Sequence, residues 1–551
     1  MSCIKKGDMI YYTKDFYIKE IGVWPMSQKN KKNYTESSVY LQRASFVVFV
    51  GTLILITVFP LIYHNYYFDI LNTKYKFYYC TILIMAAGVL LLCVIPSLIT
   101  KKENWEMKWK KGLKNINLAD LSMLFLLITT VISTLQSDFK YESFWGNEAR
   151  YNGLFLWLIY GLAYLLITRL LKFKTSLLDF FLLAGILVCL FGITDYFKLD
   201  LLHFKVRMRE TQRKDFASTI GNINLYTAYV GMVIAIAMTL FTKAKSRPKI
   251  IFYYVTMVIA FLAMIMGRSD NGYLALGALF AALPFYLFKT RTGIKRYIVC
   301  VATLLTSVWM VSIANIIWSE HVLYLDSVFG IMSRSDKLIY VVLVSWIAVA
   351  VMYILDRKKT EDVVGKLPYR LWSAFIIACF VAGIAIFYDA NIAGNGARYG
   401  SMSDYLVFSD SWGTDRGFVW KLSMNHFKEF SFIRKLFGYG PDTFGILTHY
   451  NDFDTMVEYN NTIFESAHNE YIHYLLTIGA VGLGAYVMLL FTSCYEILKK
   501  CSKEPYAVAI VFSILAYAAQ ATVNIAQPIV TPIMFTLLMI GLSACNNNVE
   551  S

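Results

Sequence analysis

"YTAYVGMVIAIAMTLFTKAKSRPKIIFYYVTMVIAFLAMIMGRSDNGYLALGALFAALPFYLF" occupies residues 226–288. Three apolar runs are parted by two short polar breaks, the basic "KAKSRPK" (243–249) and the mixed "GRSDN" (267–271). A helix of about twenty apolar residues crosses the hydrocarbon core of a bilayer. In that medium each backbone N–H and C=O must find its partner within the structure, which a helix provides. The stretch therefore reads as three successive membrane helices whose connections alternate between the two sides.

The rest of the chain repeats this pattern. Of 551 residues, 57% are hydrophobic and only 16% charged, where a soluble chain carries roughly a quarter charged; the mean hydropathy is +0.51. Fourteen segments read as spans: 45–63, 77–100, 115–135, 153–168, 175–194, 218–242, 250–266, 272–288, 297–317, 338–355, 371–388, 471–496, 506–522 and 529–544. The expected fold is an all-α polytopic bundle of about 14 transmembrane helices (12–14) with one large loop on the outer side. Residues 1–44 are expected to form a lysine-rich cytoplasmic tail, 45–544 the membrane domain and 545–551 a short cytoplasmic tail. No signal peptide is expected, because the first apolar run starts late and is long enough to span.

Lysine and arginine orient the bundle. The six loops on the side of the N-terminal tail hold 25 of them in 59 residues, and the seven loops on the other side hold 19 in 166 residues. The dense side is expected to be the cytoplasm, with both termini there. The net charge of +15 then reflects topology and contact with anionic lipid headgroups, and nucleic acid is not an expected partner. The nine cysteines fall mostly in spans, as Cys80, Cys93, Cys189, Cys300 and Cys379 do, without metal-ligand spacing. They read as small core residues. No metal and no cofactor are expected.

One outer loop is unlike the others. Residues 389–470 run for 82 residues and are rich in aromatic residues, so the loop is expected to be folded and functional. Its segment "GTDRGFVWKLSMNHFKEF" (413–430) reads as a helix capped by Thr414 or Asp415. Arg416, Trp420, Met424 and Phe427 share one face, expected to lie on the membrane surface. "LFGYGPDTF" (436–444) reads as a glycine and proline turn.

Four side chains stand at the outer ends of spans: Arg150, Arg268, Arg416 and His468. Each arginine has a plain reading as an interfacial anchor. Arg268 fits it least, because its five-residue loop holds the charge at the membrane boundary beside Ser269, Asp270 and Asn271. Ser466 is a plausible N-cap, which puts His468 in the first turn of the next helix. There the positive end of the dipole disfavours imidazolium, and a neutral histidine accepts a proton. His473, about 140° further around that helix, is expected to face elsewhere and tolerate substitution. The outer loop 195–217 is oddly basic, with Arg207, Arg209 and Arg213 among its six cations and a net charge of +2. It reads either as a solvated surface or as a rim that draws in phosphate.

Several of these stretches, in this order, are similar to the O-antigen ligase/polymerase superfamily of bacterial membrane glycosyltransferases. They are "GNEARYNGLFLWLIYGLAYLL" (146–166), "ASTIGNINLYTAYVGMVIAIAM" (217–238), "MGRSDNGYLALG" (266–277), "DRGFVWKLSMNHFKEFSFIRKLFGYGPDTFG" (415–445) and "AHNEYIHYLLTIGAVGLGAY" (467–486). The resemblance covers roughly residues 140–490, and the chain departs from it by about two extra spans and by the long N-terminal tail. It implies a GT-C-like enzyme of the bacterial cell membrane with its site on the outer face. Such an enzyme takes a glycan from a polyprenyl-pyrophosphate such as undecaprenyl pyrophosphate, without metal. The glycan passes to a hydroxyl on a glycan, lipid or protein. By motif, Arg268 and Arg416 would bind the pyrophosphate and His468 would assist the acceptor. Arg150, Trp420, Asn469 and Glu470, with the three loop arginines, would contact substrate. The alternative is a lipid-linked oligosaccharide flippase or other transporter, which should show two related halves and ionisable residues near the midplane. Here the candidate charges gather at one face.

Overall fold

The computed structural model describes residues 37–99, 116–147, 150–356, 362–500 and 504–546. Most of the expected N-terminal tail, the basic connection 100–115 and residues 547–551 of the expected C-terminal tail lie outside them. The described chain is built from helices. In order these are α1 (Ser37–Thr57), α2 (Ile70–Ile99), α3 (Leu118–Gln136), α4 (Leu154–Leu170), α5 (Thr175–Tyr196) and α6 (Ile223–Lys243). There follow α7 (Arg247–Met266), α8 (Asn271–Leu287), α9 (Arg291–Ile317), α10 (Leu338–Asp356) and α11 (Leu367–Asn391). The long loop contributes α12 (Trp412–Glu429) and α13 (Phe444–Asn460). The chain closes with α14 (Glu470–Thr477), α15 (Gly479–Lys500), α16 (Val508–Gln520) and α17 (Thr531–Asn546).

A helix lies on each of the fourteen expected segments, the twelfth being broken at Ile478 into α14 and α15. Ten of the described helices are long and apolar enough to cross a membrane; α4, α8 and α17, and the segment Val508–Val523, are shorter apolar helices. The chain is a multi-pass membrane protein.

α6 is the axis of the bundle. It is apolar on every side, and such a helix has no face to give to solvent. All of its span window is buried, against α7, α8 and α16. Small residues let neighbours approach closely: a Cβ on Gly231 would stand 3.2 Å from the Cβ of Ala275 on α8. α10 and α11 are at the periphery, with their apolar side chains largely uncovered by protein. Cys80 and Cys379 also point out of the bundle, while Cys93, Cys189, Cys300 and Cys545 are buried. The expectation that cysteines serve the core therefore holds for only some of them; a thiol is apolar enough for either environment.

The two ends differ. At the basic end, cations cap helix C-termini, where orphan carbonyls favour positive charge. Arg296 donates to the Phe241 and Ala244 carbonyls of α6, both at 2.7 Å, and Lys500 to that of Cys545 at 3.1 Å. At the opposite end the connections bond to one another. Tyr67 donates to the Ser218 carbonyl at 2.7 Å, and the Leu323 N–H to the Tyr196 carbonyl at 2.9 Å. Residues 389–470 sit at this end and form a small separate core of Val419, Phe444, Met456 and Phe464, shared with Leu476 of α14.

α12 differs from its sequence reading in two ways. Gly413, Thr414 and Asp415 have left-handed backbone, so regular helix starts at Arg416 and neither Thr414 nor Asp415 caps it. The Asp415 carboxylate instead takes hydrogen bonds from Tyr459 at 3.1 Å and Asn460 at 2.7 Å, tying the start of α12 to the end of α13. The buried stripe is Gly417, Val419, Ser423 and His426, while Met424 is exposed. The reason is that α12 packs on protein, chiefly α14, which a sequence pattern does not reveal.

Candidate active site

The turn "GYGPD" (438–442) builds the floor of the candidate site. Gly438 and Gly440 have φ of 80° and 133°, which side chains rarely adopt. A Cβ on Gly438 would collide with the Thr477 carbonyl, and one on Gly440 with the hydroxyls of Ser137 and Ser143. This close approach lets the Tyr439 and Gly440 N–H groups donate to the carbonyls of Leu476 (2.8 Å) and Thr477 (2.9 Å). Those carbonyls end α14 and have no partner within the helix. Ser133 of α3 also donates to Thr477, at 2.9 Å.

Two residues on, Asp442 is 4% exposed and left-handed. Its Oδ2 accepts from the backbone N–H of both Asn147 and Asn152, each at 2.9 Å. The turn between them carries Arg150, whose Nη2 lies 3.7 Å from Glu465 Oε2. Burial works against the charge of Arg150, while Glu465 and Asp442 support it. Burial also pushes the Asp442 carboxyl up to about 7, against the pull of the two N–H groups and of Arg150.

His468 is not in the first turn of its helix. The N-cap is Asn469, whose Oδ1 accepts from Tyr471 N and Ile472 N, both at 3.0 Å. Ser466 instead takes the His468 N–H at 3.3 Å, closing a local turn in which His468 has φ of 48°. The left-handed backbone at His468 keeps the helix from starting before Glu470, so Asn469 and not Ser466 stands at the cap position. Trp420 of α12 fixes this segment by donating Nε1–H to the Ala467 carbonyl at 2.9 Å. The imidazole is held down to about 3, by burial first and then by the positive charges of Arg416 and Arg150.

Arg416 donates Nη1–H to the Gly413 carbonyl. Burial opposes its charge, and Asp270, two residues beyond Arg268, supports it. Among the described residues, Nε of Arg150, Nε of Arg416 and Nδ1 of His473 are buried with no protein hydrogen-bond partner. His473 does not face away. It is buried, its ring packs against Phe444 at 5.5 Å, and Arg150 and His468 are within its electrostatic range. The break between α14 and α15 and the packing of α13 enclose it, so angle around a single helix was a poor guide.

The remaining residues lie further out or are engaged. Arg268 spans three connections: Nε donates to Tyr324 O (2.7 Å), Nη1 to Lys214 O (3.2 Å), and Nη2 lies 3.8 Å from Asp326. Glu470 turns into the bundle and accepts from Tyr486 (2.6 Å) and Tyr517 (3.0 Å). Arg207, Arg209 and Arg213 are exposed; Arg207 rests over the Tyr66 ring and Arg213 bonds its own loop at Met208 O, 3.3 Å away. The sequence reading missed Asp442, Glu465 and His473. Asp442 was hidden in a turn motif in which aspartate is common, and Glu465 stood only three residues before His468 without a periodicity to mark it.

Charge and chemistry agree at this end of the bundle. Two part-buried guanidinium groups act electrostatically on one imidazole, a combination suited to a polyanionic group and a hydroxyl. A comparison with curated proteins returns no match. Residues 321–487, which contain Arg416, Asp442, Glu465 and His468, match the family model described as O-antigen ligase. The match supports a membrane glycosyltransferase-like role in surface polysaccharide assembly. In this segment the chain is similar to the O-antigen ligase family.

Proposed function

We propose that the chain transfers a glycan from a polyprenyl-pyrophosphate carrier to an acceptor hydroxyl at the outer face of the bacterial cell membrane, with both termini in the cytoplasm. The observation that carries this reading is the gathering of Arg150, Arg416 and His468 at one end of the bundle, where Trp420 of α12 bonds the Ala467 carbonyl beside His468 and both arginines act on its imidazole. The acceptor O–H adds to the anomeric carbon as that carbon's bond to the pyrophosphate oxygen breaks. The electron pair leaves with the lipid pyrophosphate, and the hydroxyl proton passes to His468. Negative charge then grows on the leaving oxygen, where fixed cations lower the barrier. Arg150 and Arg416 have buried N–H groups without protein acceptors for this purpose.

Arg268 joins the reading from the rim, by holding the 195–217 and 318–327 connections together. Asn469 and Trp420 keep His468 in place. Glu470 serves by anchoring α14 to α15 and α16 through Tyr486 and Tyr517. The exposed loop arginines would collect the anionic donor before it docks.

The test has two halves. Purified chain in proteoliposomes, given a polyprenyl-pyrophosphate glycan and an acceptor, should release the carrier pyrophosphate. Deleting the gene should either shorten surface chains, which marks a polymerase, or leave intact lipid-linked chains unattached, which marks a ligase. No release together with unchanged surface glycan would contradict the proposal.

A further inference from the structure

Asp442 is a buried carboxylate that the transfer chemistry does not use. It also sits where three parts of the site meet: the Arg150 turn, the glycine turn and the C-terminal end of α14. Its Oδ2 holds both ends of the Arg150 turn through Asn147 N and Asn152 N, each at 2.9 Å. Asn152 is held from outside as well, its Nδ2 donating to Ala526 O at 2.7 Å. Within four residues of Asp442 the same strand of chain bonds Leu476 and Thr477. The α14 helix so gripped begins at Glu470, two residues after His468 and directly after its cap Asn469.

We infer that Asp442 is a positioning residue, which sets the Arg150 guanidinium relative to His468 by clamping Asn147 and Asn152, on either side of Arg150, to the glycine turn that grips α14. A carboxylate suits this better than any other side chain. One oxygen accepts two N–H groups at once, and its charge supports that of the arginine between them. The groups around it are few. Arg150 and Glu465 are its charged neighbours, and Tyr75 of α2 lies within electrostatic range. Glu465 pairs with Arg150 from the exposed side, and Asp442 supports the same charge through space. The kinetic consequence rests on the proposed role of Arg150 with the donor; the clamp itself does not.

The test uses the full-length protein in detergent and in proteoliposomes. Asp442→Ala removes the acceptor for two backbone N–H groups. Asp442→Asn keeps an oxygen that can accept both, loses the charge and puts an NH2 group in place of the second, unpartnered oxygen. Trypsin should leave the Arg150–Tyr151 bond of the wild type intact, since that arginine side chain is 14% exposed. It should cut there in Asp442→Ala and far more slowly in Asp442→Asn. The donor KM should rise about tenfold to a hundredfold in Asp442→Ala, the scale expected when buried donors lose their acceptor, and substantially less in Asp442→Asn. In Arg150→Ala the second substitution should add nothing to the KM. If Asp442→Ala does not fold, the Asn variant carries the test: a thermal midpoint near wild type with a raised KM that vanishes in the Arg150→Ala background. Unchanged tryptic resistance overturns the clamp. A KM effect that adds fully to that of Arg150→Ala overturns the link to Arg150. A normal KM in Arg150→Ala alone would instead count against the donor-binding reading, and the tryptic pattern would still decide the clamp.

Discussion

His468 was visible in the sequence as a lone histidine at the threshold of a span, but the reason for its neutrality was not. A helix dipole was the only cause a sequence could offer. In the folded chain burial contributes most, and Arg416 and Arg150 add to it from segments 52 and 318 residues away. Contacts between such distant segments have no local signature. The sign of their effect is testable. A folded value of about 3 lies below the ordinary imidazole value of about 6.5, so His468 stays neutral as pH falls through 6.5 and charges only well below it. No acid limb near 6.5 should arise from His468 in kcat/KM. Arg416→Gln removes one positive neighbour and should move the His468 limb upward, alongside its loss of donor binding. A pH–rate profile for both proteins checks this, and identical limbs would remove Arg416 from the field at His468. A bound pyrophosphate offsets the same two charges, so the donor itself should make His468 a better base.

At the scale of elements, the long apolar runs were legible because a membrane demands a helix for each, and helices lie on all of them. The long loop 389–470 was legible as folded but not in its packing: α12 offered a plausible surface stripe, and its real buried face was chosen by α14. The glycine turn read only as a turn. Its second role, receiving the end of α14, depends on backbone contact that no side-chain pattern encodes. Gly438→Ala should therefore act as a packing and backbone lesion together, costing at least about 1–3 kcal/mol of stability. A fall in thermal midpoint in detergent checks it, and a fully wild-type midpoint would mean that the turn yields. The 195–217 loop kept both of its readings. Its arginines are exposed, and its fold rests on the buried pair of Lys205 and Asp195, 3.1 Å apart. Replacing Arg207, Arg209 and Arg213 with glutamine should thus leave folding intact, raise the donor KM and weaken its dependence on salt. Equal kinetics at low and high salt, in variant and wild type alike, would make the loop an ordinary surface.

Over the whole molecule, the two ends are chemically distinct, and that asymmetry was present in the count of lysines and arginines. The basic end spends its cations on helix termini, while the other end carries an interlocked set of connections with a second small core. If the proposed orientation is right, Arg209→Cys on intact cells should react with a membrane-impermeant maleimide and Lys366→Cys should not; the reverse pattern would invert the bundle. The central claim is that an outward site moves a glycan by pairing two part-buried guanidiniums with a neutral histidine. Its most direct test is carrier pyrophosphate release by proteoliposomes holding wild type or His468→Gln. Glutamine keeps the polarity and approximate size of the side chain but is no base at neutral pH. Turnover should fall about 10²–10⁴-fold while the donor still binds. Near-normal turnover in His468→Gln would contradict the account.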